Sequence, residues 1–196
     1  MIHDLDATIK ALLTRLAPKG SMLEGAKIEF DIPDAAWRAE RLKPTVNCYL
    51  YDIHENRQLK VDEPIVARDA KGNPLSWQMA PRMVDCTYCI TAWSMAKHDA
   101  ALEEHQLLGE LLQVFLRLRT ISKDDLQGAL KSQRPPLPTI LASQEGVKNQ
   151  AEFWHALDQR LKPSLNYVVT LAFFPEAPVT TQRSPKEPIL IGVEQK

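Results

Sequence analysis

Residues 82–93 constrain the fold more than any other segment, because they form a long run without glycine or proline that is rich in β-branched and aromatic residues. Side chains alternate between the two faces of a strand. One face would carry Val84, Cys86, Tyr88, Ile90 and Ala92, and the other Met83, Asp85, Thr87, Cys89, Thr91 and Trp93. The alternation predicts a strand of an antiparallel sheet with one dry and one wetter face.

The same patterns predict further elements along the chain. Amphipathic helices are predicted at residues 4–16, 99–118 and 150–161, and strands at 27–32, 45–53, 137–142 and 166–174. Residues 33–44 are interpreted as a loop, and residues 60–80 as an irregular segment or a long hairpin connection. This order predicts an α+β fold, with a mixed or antiparallel sheet flanked by helices on one face.

The domain prediction follows from the composition of the chain's last part. Prolines at 175, 178, 185 and 188 interrupt that part, which also carries the apolar patch Ile189-Leu190-Ile191. Segments rich in proline are extended and pack poorly on themselves. We therefore predict one α+β domain at residues 1–175 and a Pro-rich C-terminal extension at 176–196.

Charge and cysteine content narrow the class of protein. Lysine and arginine number 24, and aspartate and glutamate 25. This balance argues against nonspecific nucleic-acid binding, which needs a cation surplus. Three cysteines, an odd number, lie in apolar strand-like runs and favour reduced thiols in a cytoplasmic protein. No stretch approaches the roughly 18 apolar residues of a membrane span, so we expect assembly in the cytoplasm without direct membrane insertion.

Motifs for catalysis and cofactor binding are incomplete in this chain. Residues 20–27 resemble a phosphate-binding loop but lack its Gly-Lys-Ser/Thr ending, and Cys86 and Cys89 would point to opposite faces of a strand. We therefore predict no cofactor, no metal and no enzymatic activity. One alternative remains open, a hydrolase of unrecognised type that uses Asp52, His54 or Glu55.

Four ordered segments resemble a known family. They are Pro44 to Asn56, Asp85 to Trp93, Glu104 to Gly109, and Trp154 to Leu157 leading into Lys162 to Thr170. In order and spacing they are similar to the terminator, or cap, proteins of phage-tail-like contractile injection systems, of which the antifeeding prophage and the Photorhabdus virulence cassette are named examples. The resemblance extends from residue 1 to about 175.

The resemblance implies the fold of contractile-tail terminators and a structural role. Such a protein would form a homo-hexameric ring, bind the sheath and inner-tube proteins, stop elongation and anchor the sheath end to the tube. The particle could be released from the cell with its cap. The competing hypothesis, besides the hydrolase, is a monomeric adaptor or regulatory domain.

Candidate interface residues follow from this role. The apolar patch Ile189, Leu190 and Ile191 is a candidate arm for linking subunits. A second candidate surface is Tyr49, Tyr51 and Ile53, or the face of Trp93. The alternative for these aromatic side chains is an ordinary place in the core.

Overall fold

The structure is a computed structural model that describes residues 1–133, 137–141, 147, 149–175, 177 and 179–180. The helices are α1 (Ile2–Leu16), α2 (Met22–Gly25), α3 (Ala35–Ala39), α4 (Ala100–Leu116) and α5 (Gln150–Ala156). The strands are β1 (Lys27–Glu29), β2 (Thr45–Glu55), β3 (Ile65–Arg68), β4 (Pro74–Gln78), β5 (Arg82–Trp93), β6 (Thr120–Ile121), β7 (Leu137–Leu141), β8 (Leu165–Phe173) and β9 (Val179–Thr180). Two short 3-10 turns, Lys123–Asp125 and Gly128–Ser132, follow β6.

The chain divides into two compact units. The sheet unit comprises Met1–Glu55 and Val84–Leu171, and the hairpin unit comprises Asn56–Met83 with the described part of Ala172–Lys196. The chain passes from one unit to the other three times, after Glu55, Met83 and Leu171. The domain boundary at residue 175 stays a prediction.

The sheet unit is built on a six-stranded sheet with the order β1-β2-β5-β8-β7-β6. Strand β1 pairs with β2 in parallel, whereas β2 pairs with β5, and β7 with β6 and β8, in antiparallel fashion. The sheet is therefore mixed, and the predicted α+β class is confirmed.

Helices α1 and α4 cover one face of this sheet. Leu5, Ile9 and Leu13 recur at helical spacing along α1 and are at most 1% exposed. Tyr88 of β5 reaches α1 from the sheet, and Phe115 of α4 stacks on Tyr167 of β8 with ring centroids 4.3 Å apart. Burial of such side chains supplies about 1.5–3 kcal/mol each before entropy is counted.

The opposite face is also covered, which corrects two expectations. Helices lie on both faces and not on one, and the face predicted to be wetter is buried at Asp85, Thr87 and Thr91. Its polar groups are satisfied internally: the Thr170 hydroxyl donates to Asp85 Oδ1 at 2.6 Å, and Trp93 Nε1 donates to the Thr91 hydroxyl at 2.8 Å. Hydrogen bonding permits such burial.

Several predicted elements differ from the observed ones in length or kind. Strand β1 ends at Glu29 and α5 at Ala156, both earlier than predicted. The predicted loop at 33–44 contains α3, whose first turn is capped where Asp34 accepts from the Trp37 amide at 2.7 Å. Helix α4 turns Leu102 and Leu116 to solvent, and the face it buries is formed by Leu107, Leu108, Leu111, Val114 and Phe115.

The hairpin unit contains the antiparallel pair β3–β4, with β9 beside β4. The segment at 60–80 is thus partly regular. Its turn is organised by Asp69, which accepts from the Lys71 and Asn73 amides at 2.8 Å. The Asn73 side-chain amide also donates to Asp69 Oδ2 at 3.0 Å, and this bond, followed by the main-chain bonds, holds the pKa of the Asp69 carboxyl below its usual range.

Candidate interaction surfaces

An aromatic cluster occupies the sheet face opposite α1 and α4. Cys89, Trp93 and Trp154 are each 2% exposed at its centre. Trp37 of α3 meets Trp93 edge to face, with ring centroids 5.3 Å apart. Phe153 of α5 packs against the same centre. Large rings of this kind anchor short helices through apolar burial.

Cations surround the Trp93 ring. The Arg41 guanidinium lies 4.6 Å from the ring centroid of Trp93 and 4.4 Å from that of Trp37, while Lys162 Nζ lies 3.7 Å from the Trp93 centroid. Lys162 also donates to the Ala92 carbonyl at 2.6 Å and pairs with Glu104 at 2.9 Å. Such cation–π contacts are worth about 0.5–2 kcal/mol.

Burial opposes the charge on both cations. It lowers the pKa of Lys162 to about 8, and the hydrogen bond and charge of Glu104 limit the fall. Burial and the neighbouring Arg38 likewise lower the pKa of Arg41, against the opposing effect of Glu29. The carboxylates of Glu104 and Glu29 therefore stabilise the positive charges of Lys162 and Arg41.

The aromatic side chains singled out from sequence lie in or beside this cluster. Trp93 is buried, and Tyr49 and Tyr51 are half-buried, with ring centroids 6.4 and 5.5 Å from that of Phe153. Tyr51 forms the irregularity in the β2–β5 register and donates to Asn166 Oδ1 at 3.2 Å. Burial raises its pKa to about 12. Their contact with a partner stays a prediction.

The other sequence-based candidate, Ile189-Leu190-Ile191, lies outside the described residues. Its role as an arm therefore stays a prediction as well.

The structure brings together two residues of the hydrolase hypothesis. His54 Nδ1 lies 3.0 Å from Asp52 Oδ2, and His54 Nε2 lies 3.7 Å from Asp85 Oδ2. Asp52 and His54 are each about half exposed in their side chains. Asp85 itself is buried, and none of these three residues lines either of the grooves described below.

The three cysteines are free and buried. Cys86 is the strand partner of Ile53, and Cys89 that of Tyr49. Burial raises the pKa of the Cys86 and Cys89 thiols to about 11 and that of Cys48 further. Thiols with such pKa values are inert at neutral pH. Within the described ranges, no group of three or more His, Cys, Asp or Glu side chains could hold a metal ion.

The hairpin unit exposes an apolar face that the sequence reasoning missed. Val66 and Trp77 are cross-strand partners and are 40% and 36% exposed. Leu75 and Met79 follow the same alternation and are 51% and 38% exposed. The sequence does contain a pattern that indicates this face, because apolar and polar residues alternate from Leu75 to Met79. A grouped apolar surface of this kind is typical of a contact with another protein.

The grooves in the described part of the chain include one in each unit. The larger, of about 540 Å³, lies in the sheet unit beside β1 and α3. The smaller, of about 200 Å³, lies in the hairpin unit beside Val61 and Arg82. None of the helices among the described residues is long and apolar enough to cross a bilayer.

The mixed sheet with helices on both faces is similar to the folds of two solved terminators of contractile injection systems. It resembles the sheath/tube terminator of an extracellular contractile injection system, PVC, in its extended state, with a TM-score of 0.69 and 23% identity. It also resembles the tube-terminating cap of the anti-feeding prophage, with a TM-score of 0.57 and 21% identity. Each likeness covers the whole of this chain, which spans 64% and 61% of those proteins.

The chain belongs to the Pvc16 N-terminal domain family, whose pattern matches residues 4–187. The predicted resemblance is thereby confirmed. A comparison with curated proteins gave no match.

Proposed function

We propose that this chain is the terminator cap of a contractile injection particle. Membership of the Pvc16 N-terminal domain family over residues 4–187 carries the proposal. The likeness to a sheath/tube terminator and to a tube-terminating cap supports it. In this role the protein binds the last ring of tube and sheath, stops elongation, and anchors the free sheath end to the tube. This is binding work that needs neither cofactor nor catalysis.

We infer that the working form is a homo-hexameric ring. Closed rings are built from heterologous contacts, in which one surface of each copy meets a different surface of the next. The exposed apolar face of the hairpin, with Trp77 at its centre, is suited to such a contact because tryptophan is enriched where interfaces are driest.

Other parts of the chain take their place within this proposal. Residues 1–175 serve as the terminator domain, and 176–196 serve as an extension that contacts a neighbouring subunit through Ile189-Leu190-Ile191. The half-buried Tyr49 and Tyr51 form a second contact where the aromatic cluster reaches the surface, with the buried Trp93 in the cluster behind them. Assembly takes place in the cytoplasm, and the cap leaves the cell with the particle when the particle is released.

Particles that lack this gene provide the direct test. Purified protein is added to them and their ends are averaged by negative-stain electron microscopy. Six-fold density at the tube end supports the proposal. Bare ends, or density at the baseplate, contradict it. Trp77→Lys should abolish the end density, whereas Lys71→Glu at the hairpin turn should preserve it.

A further inference from the structure

The apolar face of the hairpin unit has a regular spacing. Leu75 and Trp77 on β4 and Met79 just after it occupy alternate positions, and Val66 on β3 is the register partner of Trp77. Side chains two residues apart project from the same face of a strand, about 7 Å from each other. All four side chains are between 36% and 51% exposed, so this face is accessible to a partner.

Strand β9 brings the chain to the side of this face. Its register places Val179 opposite Trp77 and Thr180 opposite Ser76. Because β9 is antiparallel to β4, it points from Trp77 towards Pro74 and the hairpin turn. The residues after Thr180 therefore start from a fixed point beside the apolar face.

The sequence after Thr180 lies outside the described residues and contains one apolar run. Residues 181–188 are polar apart from Pro185 and Pro188, and the run at 189–193 reads Ile-Leu-Ile-Gly-Val. Its β-branched side chains, at positions 189, 191 and 193, favour an extended strand. In a strand these three side chains project to one side, with the same period as the apolar row on β4.

The length of the connection favours a hairpin face on another copy. Eight residues separate Thr180 from Ile189, and a proline-rich segment extends by about 3.1 Å per residue, which gives about 25 Å in all. Strands β3 and β4 have four and five residues, which correspond to about 13–17 Å. An extended connection is therefore long enough to carry the apolar run past the end of its own hairpin.

We propose that the apolar run at 189–193 of one copy packs on the hairpin face of the next copy, with Ile191 against Val66 and Trp77. The inference rests on the ring of the proposed function. Each copy then offers one surface and accepts a different one, which is the heterologous contact that closes a ring. The contact also buries Trp77, and tryptophan is enriched in the buried centre of interfaces.

Disulfide trapping between two variants of the full chain tests this contact. Val66→Cys and Ile191→Cys are co-expressed, with a tag on one variant that separates the two by mass, and the purified protein is oxidised with copper phenanthroline. A disulfide requires Cβ atoms about 3.5–4.5 Å apart, so a mixed dimer is expected on a non-reducing gel. The three native thiols are buried and do not compete.

Ala67→Cys is the matched control for Val66→Cys. Ala67 is exposed and follows Val66 on β3, so its side chain projects from the opposite face of the hairpin. The control should give less mixed dimer by about tenfold or more, because its Cβ lies on the wrong side of the strand. If Val66→Cys does not fold, Met79→Cys replaces it, because Met79 belongs to the same apolar face.

The outcomes separate this contact from the proposed function. Equal amounts of mixed dimer with Ala67→Cys would overturn the contact. A disulfide that forms only within one chain of the double variant Val66→Cys/Ile191→Cys would assign the run to its own hairpin. A wild-type ring without mixed dimers would overturn the contact and leave the terminator role in place. A wild type that stays monomeric in native mass spectrometry would overturn the ring and the contact together.

Discussion

The contact between Tyr88 and Asp6 gives a prediction with a definite magnitude. Tyr88 on β5 is fully buried, and its hydroxyl donates to Asp6 Oδ1 on α1 at 2.7 Å. Burial raises the pKa of the Asp6 carboxyl, and the Tyr88 hydrogen bond opposes this rise. Tyr88→Phe removes the donor and keeps the ring that packs between sheet and helix.

The expected loss depends on the charge of Asp6. A hydrogen bond to an ionised group contributes about 1.5–3 kcal/mol, and one between neutral groups about 0.5–1.5 kcal/mol. Asp6 is half-buried, so water can replace part of the lost bond. We expect Tyr88→Phe to lower the free energy of unfolding by about 1.5–2 kcal/mol at pH 7.

The loss should shrink as the pH falls. Removing the Tyr88 donor raises the folded-state pKa of Asp6 further above its unfolded value. The folded variant therefore binds the Asp6 proton at a higher pH than the folded wild type does. As the pH falls from the folded-state pKa of Asp6 towards its unfolded-state pKa, proton binding stabilises the folded state. The variant has the higher folded-state pKa and therefore regains part of the lost stability on acidification.

Urea unfolding at pH 7 and pH 5 measures both effects. Tyr51→Phe is the matched control, because the Tyr51 hydroxyl donates at 3.2 Å to the neutral amide of Asn166. Its loss should be about 0.5–1.5 kcal/mol and the same at both pH values. A Tyr88→Phe loss that is independent of pH, or no larger than that of Tyr51→Phe, would refute the reasoning.

Further predictions concern pH, glycine geometry, thiols and assembly. Between pH 8 and 9 the unfolded chain keeps the proton on Lys162 while the folded chain releases it, so this group makes the free energy of unfolding rise with pH by up to about 1.4 kcal/mol per pH unit. Urea unfolding of the wild type and of Lys162→Met should therefore show a difference in stability that rises over this pH range. A difference that stays constant would contradict the low pKa of Lys162. Gly128→Ala should lower the melting temperature, because Gly128 has φ +54° and a Cβ there would clash with Asp4. Gly109→Ala in α4 meets open space and should raise stability by roughly 0.5–1 kcal/mol. A change of stability in the same direction for both variants would be inconsistent with the structure. The three buried thiols should react with a disulfide reagent at pH 8 only as fast as the chain unfolds, and a thiol that reacts at once in the native protein would show that the structure places it wrongly. Native mass spectrometry should find a ring for the wild type and monomers for Trp77→Lys, and identical masses would remove the hairpin face from the interface.

Strand β5 and helix α1 could be predicted from sequence because their periodicity is long and strict. The polar side chains of β5 misled the prediction about its second face. Asp85 and Thr91 are polar, yet they are buried because Thr170 and Trp93 supply hydrogen bonds from elsewhere in the fold. Pairings of this kind are distant in sequence and leave no local pattern.

Short elements and surface features were the least predictable parts. Helix α3 has five residues, too few for helical periodicity, although Asp34 is a good N-cap residue. The contacts of the Arg41 guanidinium with the rings of Trp37 and Trp93 depend on the tertiary fold, which brings these side chains together. Conversely, the buried state of the cysteines followed directly from their apolar strands.

The most direct test of the central claim is the length distribution of assembled particles, measured by negative-stain electron microscopy with and without this gene. The terminator account predicts overlong, variable or unstable tubes with bare ends in the deletion, and one length with a capped end when the protein is restored. Particles of uniform length with an intact cap in the deletion would contradict it.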